Sequence, residues 1–241
     1  IYLAVIFRDS DGGFFRSHWW GILGLIGWTY LICAFIYLFT RDRLKYLIPI
    51  WFVFIILCII KSRMRNGNMI LNLPPGNFFD EMLQILHIGK GGLSAFTMGG
   101  IILSLLVTKY ATADSRKKII FAVSAVIILL IAGFISHKFW IVSKIQDTPP
   151  WIFFCTAIAI GSYAIISVIG ENGKAHWFNI IKTAGTATLT CYLVPYVTYS
   201  ITGLTGVQLP GWLTTGLPGI LNCTVYSFLV IGITYLLEKI H

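Results

Sequence analysis

Long apolar runs separated by short polar stretches dominate this chain. Several runs continue for about 18 residues or more without a charged side chain, which is the length a helix needs to cross a hydrocarbon core of about 30 Å. In hydrocarbon a helix satisfies its own backbone hydrogen bonds, so such runs fold as helices. The pattern predicts an all-α fold, a polytopic membrane helix bundle with about seven complete transmembrane helices. The predicted spans cover residues 19–39, 44–60, 93–107, 119–135, 151–169, 177–200 and 219–237.

The first residues, IYLAVIF, form an apolar run that is too short to span a membrane. They predict the end of a truncated helix. We therefore expect residues 1–241 to be a single transmembrane domain that forms the C-terminal part of a longer membrane protein. In the first complete span, Gly21, Gly24 and Gly27 recur every three residues, which predicts a face where another helix packs closely.

The longest connection, residues 61–91, contains an amphipathic segment that is too short to span. Asn77 is placed to cap a short helix that begins at Phe78. Asp80 and Glu81 would then lie in its first turn, where carboxylates complement the helix dipole. The segment is expected to lie at the membrane interface.

Another face of this segment is polar. Asp80, Gln84 and His87 recur at i, i+4 and i+7, the spacing that brings side chains together on one side of a helix. Asp80 and Glu81 are weak catalytic candidates that could orient a base or bind a sugar hydroxyl. Their more ordinary interpretation is a helix N-terminus with favourable charges.

Composition supports the membrane interpretation. Hydrophobic residues make up 57% of the chain and charged residues 11%, against roughly 25% charged in a soluble domain. The net charge is +9, but the basic side chains lie between apolar spans. Topology and anionic lipid headgroups explain that placement, so membrane lipid is an expected partner and nucleic acid is not.

The connections predict an orientation. The short, basic connections at residues 41–45, 109–118 and 171–176 are expected to be cytoplasmic by the positive-inside rule. The C-terminus would then be cytoplasmic too. The longer connections, residues 8–18, 61–91, 136–150 and 201–218, would face the opposite side.

Candidate functional side chains fall mostly outside the spans. His18 has a suitable intrinsic pKa for a general base, although an ordinary interfacial histidine is the more common case. Four candidates for binding substrate are polar side chains of the last two spans and of the short segment: Tyr192, Thr188, Asn222 and Gln84. The hydroxyl groups of the sixth span could line a pocket or bond neighbouring helices, and both interpretations stay open.

The basic connections could also bind a cofactor. Arg41, Arg43, Arg116 and Lys117 are candidates for contacting the phosphates of coenzyme A, although their role in topology is the stronger interpretation. The cysteines and histidines show no metal-ligand spacing, and no metal is expected.

Three stretches together resemble a known family. They are GILGLIGWTYLICA from Gly21, EMLQILHIGKGGLSAFTMGGIILSLL from Glu81, and the stretch from Thr148 to Tyr196 that begins TPPWIFFC. In order and spacing they resemble the transmembrane acetyltransferases typified by heparan-α-glucosaminide N-acetyltransferase, and especially their uncharacterised bacterial relatives. Where the family has an asparagine in its Gly-x-Asn-x-Leu-x-x-Tyr motif, this chain has Ala187.

The resemblance implies a membrane acyltransferase. It would move an acetyl or other acyl group from cytoplasmic acyl-CoA to an amine or hydroxyl of a sugar or glycan on the opposite side of a bacterial cytoplasmic membrane. The family's catalytic histidine has no match here and is expected before Ile1. A carrier or flippase for a sugar or lipid-linked sugar, or a non-catalytic relative, is the alternative. A homo-oligomer is compatible with either.

Overall fold

A computed structural model of the protein describes residues 2–8, 12–14, 21–71, 77–110, 115–174, 176–206 and 209–240. This part of the chain is helical, and no β-strand is assigned in it. The all-α prediction is therefore confirmed. The helices are α1 (Tyr2–Ile6), α2 (Gly21–Thr40), α3 (Leu44–Lys61), α4 (Phe78–Ile85), α5 (Gly92–Lys109), α6 (Ser115–His137), α7 (Pro149–Glu171), α8 (Lys182–Thr186), α9 (Thr188–Thr205), α10 (Gly211–Thr214) and α11 (Gly216–Ile240), with a 3-10 helix over His176–Ile181 before α8.

Six helices in the described ranges are long and apolar enough to cross a membrane: α2, α3, α5, α6, α7 and α11. The buried share of these spans is between 11% and 28%. Most of their apolar surface is thus uncovered by protein. Apolar surface of this extent requires lipid around it, which agrees with the predicted membrane bundle.

The predicted sixth span, residues 177–200, is not one helix. It is divided into the 3-10 helix, α8 and α9, with a break at Ala187, whose φ of −114° and ψ of 51° are not helical. Glycine and threonine have low helix propensity, and the Thr188 hydroxyl donates to the carbonyl oxygen of Gly185 across the break (3.0 Å). The continuous helix α9 therefore starts at Thr188. At the break the Thr188 side chain bonds a backbone carbonyl oxygen, which competes with the regular hydrogen bonds of the helix backbone.

The chain divides into two compact units, Ile1–Ile165 and Ile166–His241, with the boundary inside α7. Unit 1 is built around a core where α2, α3, α5, α6 and α7 meet. In unit 2, α9 packs against α11. The single transmembrane domain of the sequence analysis stays a prediction. The core of unit 1 contains Cys33, Leu47, Phe54, Ile55, Cys58, Ala95, Met98, Leu129, Ile152, Phe153 and Ala157.

Close helix packing occurs at other glycines than those expected. A Cβ added at Gly27 would meet no atom of the described residues within 4 Å, so within this part of the chain the predicted packing face in α2 is wrong at this position. By contrast, a Cβ at Gly133 in α6 would lie 2.6 Å from the Phe154 ring of α7, and one at Gly99 in α5 would lie 3.2 Å from Trp51 of α3. Gly133 and Gly99 therefore make room for an aromatic ring of another helix of unit 1.

Candidate functional site

The short helix α4 begins as the sequence predicts. Asn77 precedes it, and its side-chain oxygen accepts a hydrogen bond from the backbone N–H of Phe79 (2.9 Å). This bond satisfies a donor that has no partner within the helix. Asp80 and Glu81 lie in the first turn, and Leu83 on another side is 3% exposed. The cap and the buried leucine hold the polar face of α4 in a fixed direction.

Asp80 is the centre of a small polar cluster. Lys61, the last residue of α3, forms an ion pair with the Asp80 carboxylate, and Gln84 Nε2 donates to Asp80 Oδ2 (2.8 Å). The hydrogen bonds from Lys61 and Gln84 lower the pKa of Asp80 below its usual range. The Asp80 carboxylate is therefore positioned by two partners. It is suited to accept hydrogen bonds, because it has little tendency to take up a proton.

The other polar side chains of this segment are placed differently. Helix α4 ends at Ile85, and His87 follows with a φ of +50°. His87 is therefore not on the same helical face as Asp80 and Gln84, and that part of the prediction is wrong. Its ring lies 4.2 Å from the ring of Trp28, measured between centroids. Glu81 is exposed, and His18 lies outside the described residues.

Two connections of unit 1 are joined by hydrogen bonds at one end of the helices. The backbone N–H of Arg65 donates to the carbonyl oxygen of Phe139 (2.9 Å), and Trp140 Nε1 donates to that of Ser62 (3.1 Å). Lys90 Nζ donates to the carbonyl oxygen of Gln146 (2.9 Å). We call the described part of residues 61–91 and 138–148 the loop end of unit 1.

Asp147 connects three elements at the loop end. Its carboxylate Oδ2 accepts from the backbone N–H of Gly92 at the start of α5 (3.0 Å), while its own carbonyl oxygen accepts from Cys58 Sγ and Ser62 Oγ (both 3.2 Å). Its other carboxylate oxygen is buried and has no hydrogen-bond partner among the described residues. Burial raises the pKa of Asp147, against the opposing effects of the nearby Gly92 and Leu93 amides and the Lys90 charge.

The candidate cofactor-binding residues lie at the opposite end of unit 1, which we call the turn end. Arg41 and Arg43 precede α3, which runs from Leu44 to the loop end. Arg116 and Lys117 are in the first turn of α6, whose 23 residues end at the loop end; at 1.5 Å per residue that is about 35 Å. The four basic residues and Asp80 therefore lie at opposite ends of the long helices of unit 1. The sequence predicts this separation.

Most threonine and serine hydroxyl groups of unit 2 donate to backbone carbonyl oxygens of the preceding turn, and two hydroxyl pairs bond to each other. Tyr192 and Tyr196 share a hydrogen bond within α9 (2.8 Å). Thr198 bonds to Tyr226 of α11, and the Tyr226 ring stacks on that of Tyr199 with centroids 6.1 Å apart. Hydroxyl groups of the predicted sixth span therefore lie along α9. Its bond to α11 is a helix–helix contact.

The remaining candidates for binding substrate are less engaged. Thr188 donates to a carbonyl oxygen of the preceding turn. Asn222 is half-buried near the start of α11, and no hydrogen bond of its side chain is found with the described residues. Tyr192, Thr188, Asn222 and Gln84 stay predictions as substrate ligands.

Sequence reasoning missed Lys61 and Asp147 as members of the loop end. Lys61 ends a predicted span and looks like an ordinary flanking cation. Asp147 is one acidic residue in a loop before two prolines. Neither carries a local signal, because each acquires its partners from an element distant in sequence. Among the described residues no group of His, Cys, Asp or Glu could hold a metal, and the expectation of no metal stays a prediction.

The long, largely uncovered apolar helices define the class of the protein: it is an integral membrane protein of the helical type. Comparison with known proteins adds no closer assignment, since no protein-family model, no curated protein and no solved structure matches the chain.

Proposed function

We propose that the protein is an integral-membrane acyltransferase that moves an acetyl or other acyl group from acyl-CoA to a sugar amine or hydroxyl. The resemblance in three stretches of sequence is one support. The observation that carries the proposal is the polar cluster formed by Asp80 and Gln84 on the capped helix α4 with Lys61 at the end of α3. It lies at the opposite end of unit 1 from the basic turns.

The two ends suit the two substrates. In this proposal Arg41, Arg43, Arg116 and Lys117 meet the phosphates of acyl-CoA at the cytoplasmic face, because guanidinium and ammonium groups pair strongly with phosphate. Asp80 and Gln84 accept and donate hydrogen bonds to the acceptor sugar. An ionised carboxylate with a fixed direction is a common ligand for sugar hydroxyls and for a protonated amine.

The reaction itself needs a nucleophile and a proton acceptor. The acceptor amine or hydroxyl attacks the thioester carbonyl carbon, a new C–N or C–O bond forms, and the C–S bond breaks. Coenzyme A leaves as the thiol with the proton that the nucleophile loses. A group near neutral pKa would transfer that proton. Asp80 is assigned to holding the acceptor, since its lowered pKa makes it a weak base.

The test is an acyl-transfer assay with the full chain in vesicles, radiolabelled acetyl-CoA and a panel of amino sugars. We expect labelled sugar and free coenzyme A thiol in equal amounts. Asp80→Asn should raise KM for the acceptor about tenfold, the effect of losing one charge-assisted hydrogen bond, and leave KM for acetyl-CoA unchanged. Glu238→Gln removes an exposed carboxylate on α11 and serves as the control. Absence of both products rejects the proposal.

A carrier for a sugar or lipid-linked sugar is the second candidate. The break at Ala187 followed by the hydroxyl-bearing α9 favours it, because interrupted helices commonly line transport sites. Uptake of labelled sugar into vesicles without coenzyme A would select this candidate. A protein that neither transfers nor transports would be the non-catalytic relative.

A further inference from the structure

A cleft of about 570 Å³ opens at the loop end, directly after α3, and is lined by Arg63, Gly67, Asn68 and Met69. The wall of the cleft is a turn of the chain that two hydrogen bonds close. Arg63 Nε donates to the carbonyl oxygen of Gly67 (2.8 Å), and the backbone N–H of Met64 donates to the carbonyl oxygen of Asn68 (2.8 Å). The arginine is therefore anchored by Nε, and its terminal nitrogens, which bond to no residue in the described ranges, are available to a ligand.

The cleft carries positive charge that no described carboxylate offsets. The one ion pair found in the described part of the chain joins Lys61 to Asp80, which leaves Arg63 and Arg65 more than 4 Å from every acidic oxygen described. Arg65 lies beside the ring of His137, with Nη2 at 3.1 Å from Nε2, so it is not neutralised either. A guanidinium in this situation attracts an anion, and its planar fork fits phosphate geometry.

Met69, which lines the cleft, is followed in the sequence by two further exposed apolar residues. Met69, Ile70 and Leu71 are 41%, 52% and 39% exposed, and the backbone N–H of Leu71 returns to the carbonyl oxygen of Ile60 at the end of α3 (3.1 Å). This apolar segment is thus level with the last turn of a membrane-spanning helix. At that depth lipid phosphates lie just above the acyl chains.

We propose that this cleft binds the phosphate of an anionic membrane lipid. The terminal nitrogens of Arg63 hold the phosphate oxygens, while Arg65, two residues further along the chain and outside the cleft lining, adds to the positive charge of this turn. Met69 and its two apolar neighbours contact the upper part of the acyl chain. A free phosphate ester would satisfy the arginine but leave this apolar segment in water, which is why a lipid is the better occupant. The site is independent of the acyltransferase proposal.

Lipid titrations of the purified full chain in a zwitterionic detergent test this site. The probes are phosphatidylglycerol, phosphatidylcholine and inorganic phosphate, and the thermal unfolding midpoint at each concentration gives the Kd. We expect phosphatidylglycerol to bind most tightly. Arg63→Gln should weaken it at least about tenfold, the usual effect of losing a charge-assisted bidentate contact, and Arg63→Lys should fall between.

The control is Lys144→Gln, which removes one positive charge from the same end of unit 1 outside the cleft. An equal loss in Arg63→Gln and Lys144→Gln would mean general surface attraction and would overturn the proposal. Competition by inorganic phosphate at the lipid's own affinity would also overturn it, in favour of a free anion. If Arg63→Gln does not fold, Asn68→Asp adds a repelling charge to the cleft and must weaken phosphatidylglycerol binding in the same way.

Discussion

Asp80 and Asp147 are held at the same end of unit 1 in opposite ways. Asp80 has a cation and an amide donor beside it, so its pKa is lowered. Asp147 has a buried carboxylate oxygen with no hydrogen-bond partner among the described residues, and burial raises its pKa even though the other oxygen accepts the first N–H of α5. Burial without full hydrogen bonding penalises the ionised form, and pairing with a cation favours it.

Asp147 should make stability depend on pH. Because the folded protein binds this proton more tightly than the unfolded chain, the stabilisation is complete below the usual carboxyl pKa of 3.8. It is lost as the pH rises through the raised pKa of the folded state. Asp147→Asn cannot ionise, so its thermal unfolding midpoint should fall less steeply over that range than that of the unchanged protein.

The readout for Asp147 is the difference between the two pH profiles, measured by thermal unfolding in detergent. The difference is needed because Asp80 contributes in the opposite direction, losing its stabilisation as the pH falls. Glu238→Gln, at an exposed position, should leave the profile parallel to that of the unchanged protein. Parallel profiles for Asp147→Asn as well would contradict the assignment.

At the scale of elements, local signals located α4 better than α9. The Asn77 cap and the carboxylates in the first turn of α4 are formed as expected, because a cap involves residues only two or three apart. The break at Ala187 was missed, since the hydropathy of residues 177–200 is continuous across it. The prediction of close helix packing in α2 was also wrong at Gly27. A glycine spacing marks small residues and does not say whether a neighbouring helix is present.

Alanine substitutions at Gly133 and Gly100 distinguish the effect of packing on stability from the effect of helix propensity. Alanine at Gly133 would place a Cβ 2.6 Å from the Phe154 ring, so we expect Gly133→Ala to lower the free energy of unfolding by about 1–3 kcal/mol through overpacking. At Gly100 an added Cβ meets nothing within 4 Å in the part of the chain that the structure describes. Gly100→Ala should leave stability unchanged or raise it slightly, because alanine favours helix over glycine. Denaturation of both variants in the same detergent is the measurement, and equal midpoints would refute the packing argument.

At the scale of the molecule, the described connections of unit 1 sort into two sets. The connections after α3 and after α6 bond to each other at the loop end, while α3 and α6 both begin at the turn end. This arrangement agrees with a chain that crosses the membrane an odd number of times between a connection of one set and a connection of the other. Which end is cytoplasmic rests on the density of basic residues and stays a prediction.

Variants that each carry one introduced cysteine test both the arrangement of the loop end and the predicted orientation. With the exposed Cys223 and the half-buried Cys155 and Cys191 replaced by serine, and the buried Cys33 and Cys58 retained, an impermeant maleimide added to intact cells should label Asn68→Cys and Lys144→Cys. Lys117→Cys should react only after permeabilisation. Different behaviour of positions 68 and 144 would contradict the hydrogen-bonded loop end. A reversed pattern, with position 117 alone labelled from outside, would keep the fold and reverse the predicted orientation.

The sequence by itself determined that the protein is a helical membrane bundle, where most of its spans begin and end, and which helix Asn77 caps. These properties depend on transfer from water to lipid and on contacts within one turn, and both are decided by neighbouring residues. Tertiary structure alone decided that Lys61 meets Asp80, that Asp147 holds the start of α5, and that Arg63 faces an open cleft. Each of these depends on how helices and loops distant in sequence pack together, and the hydropathy of the chain does not encode that geometry.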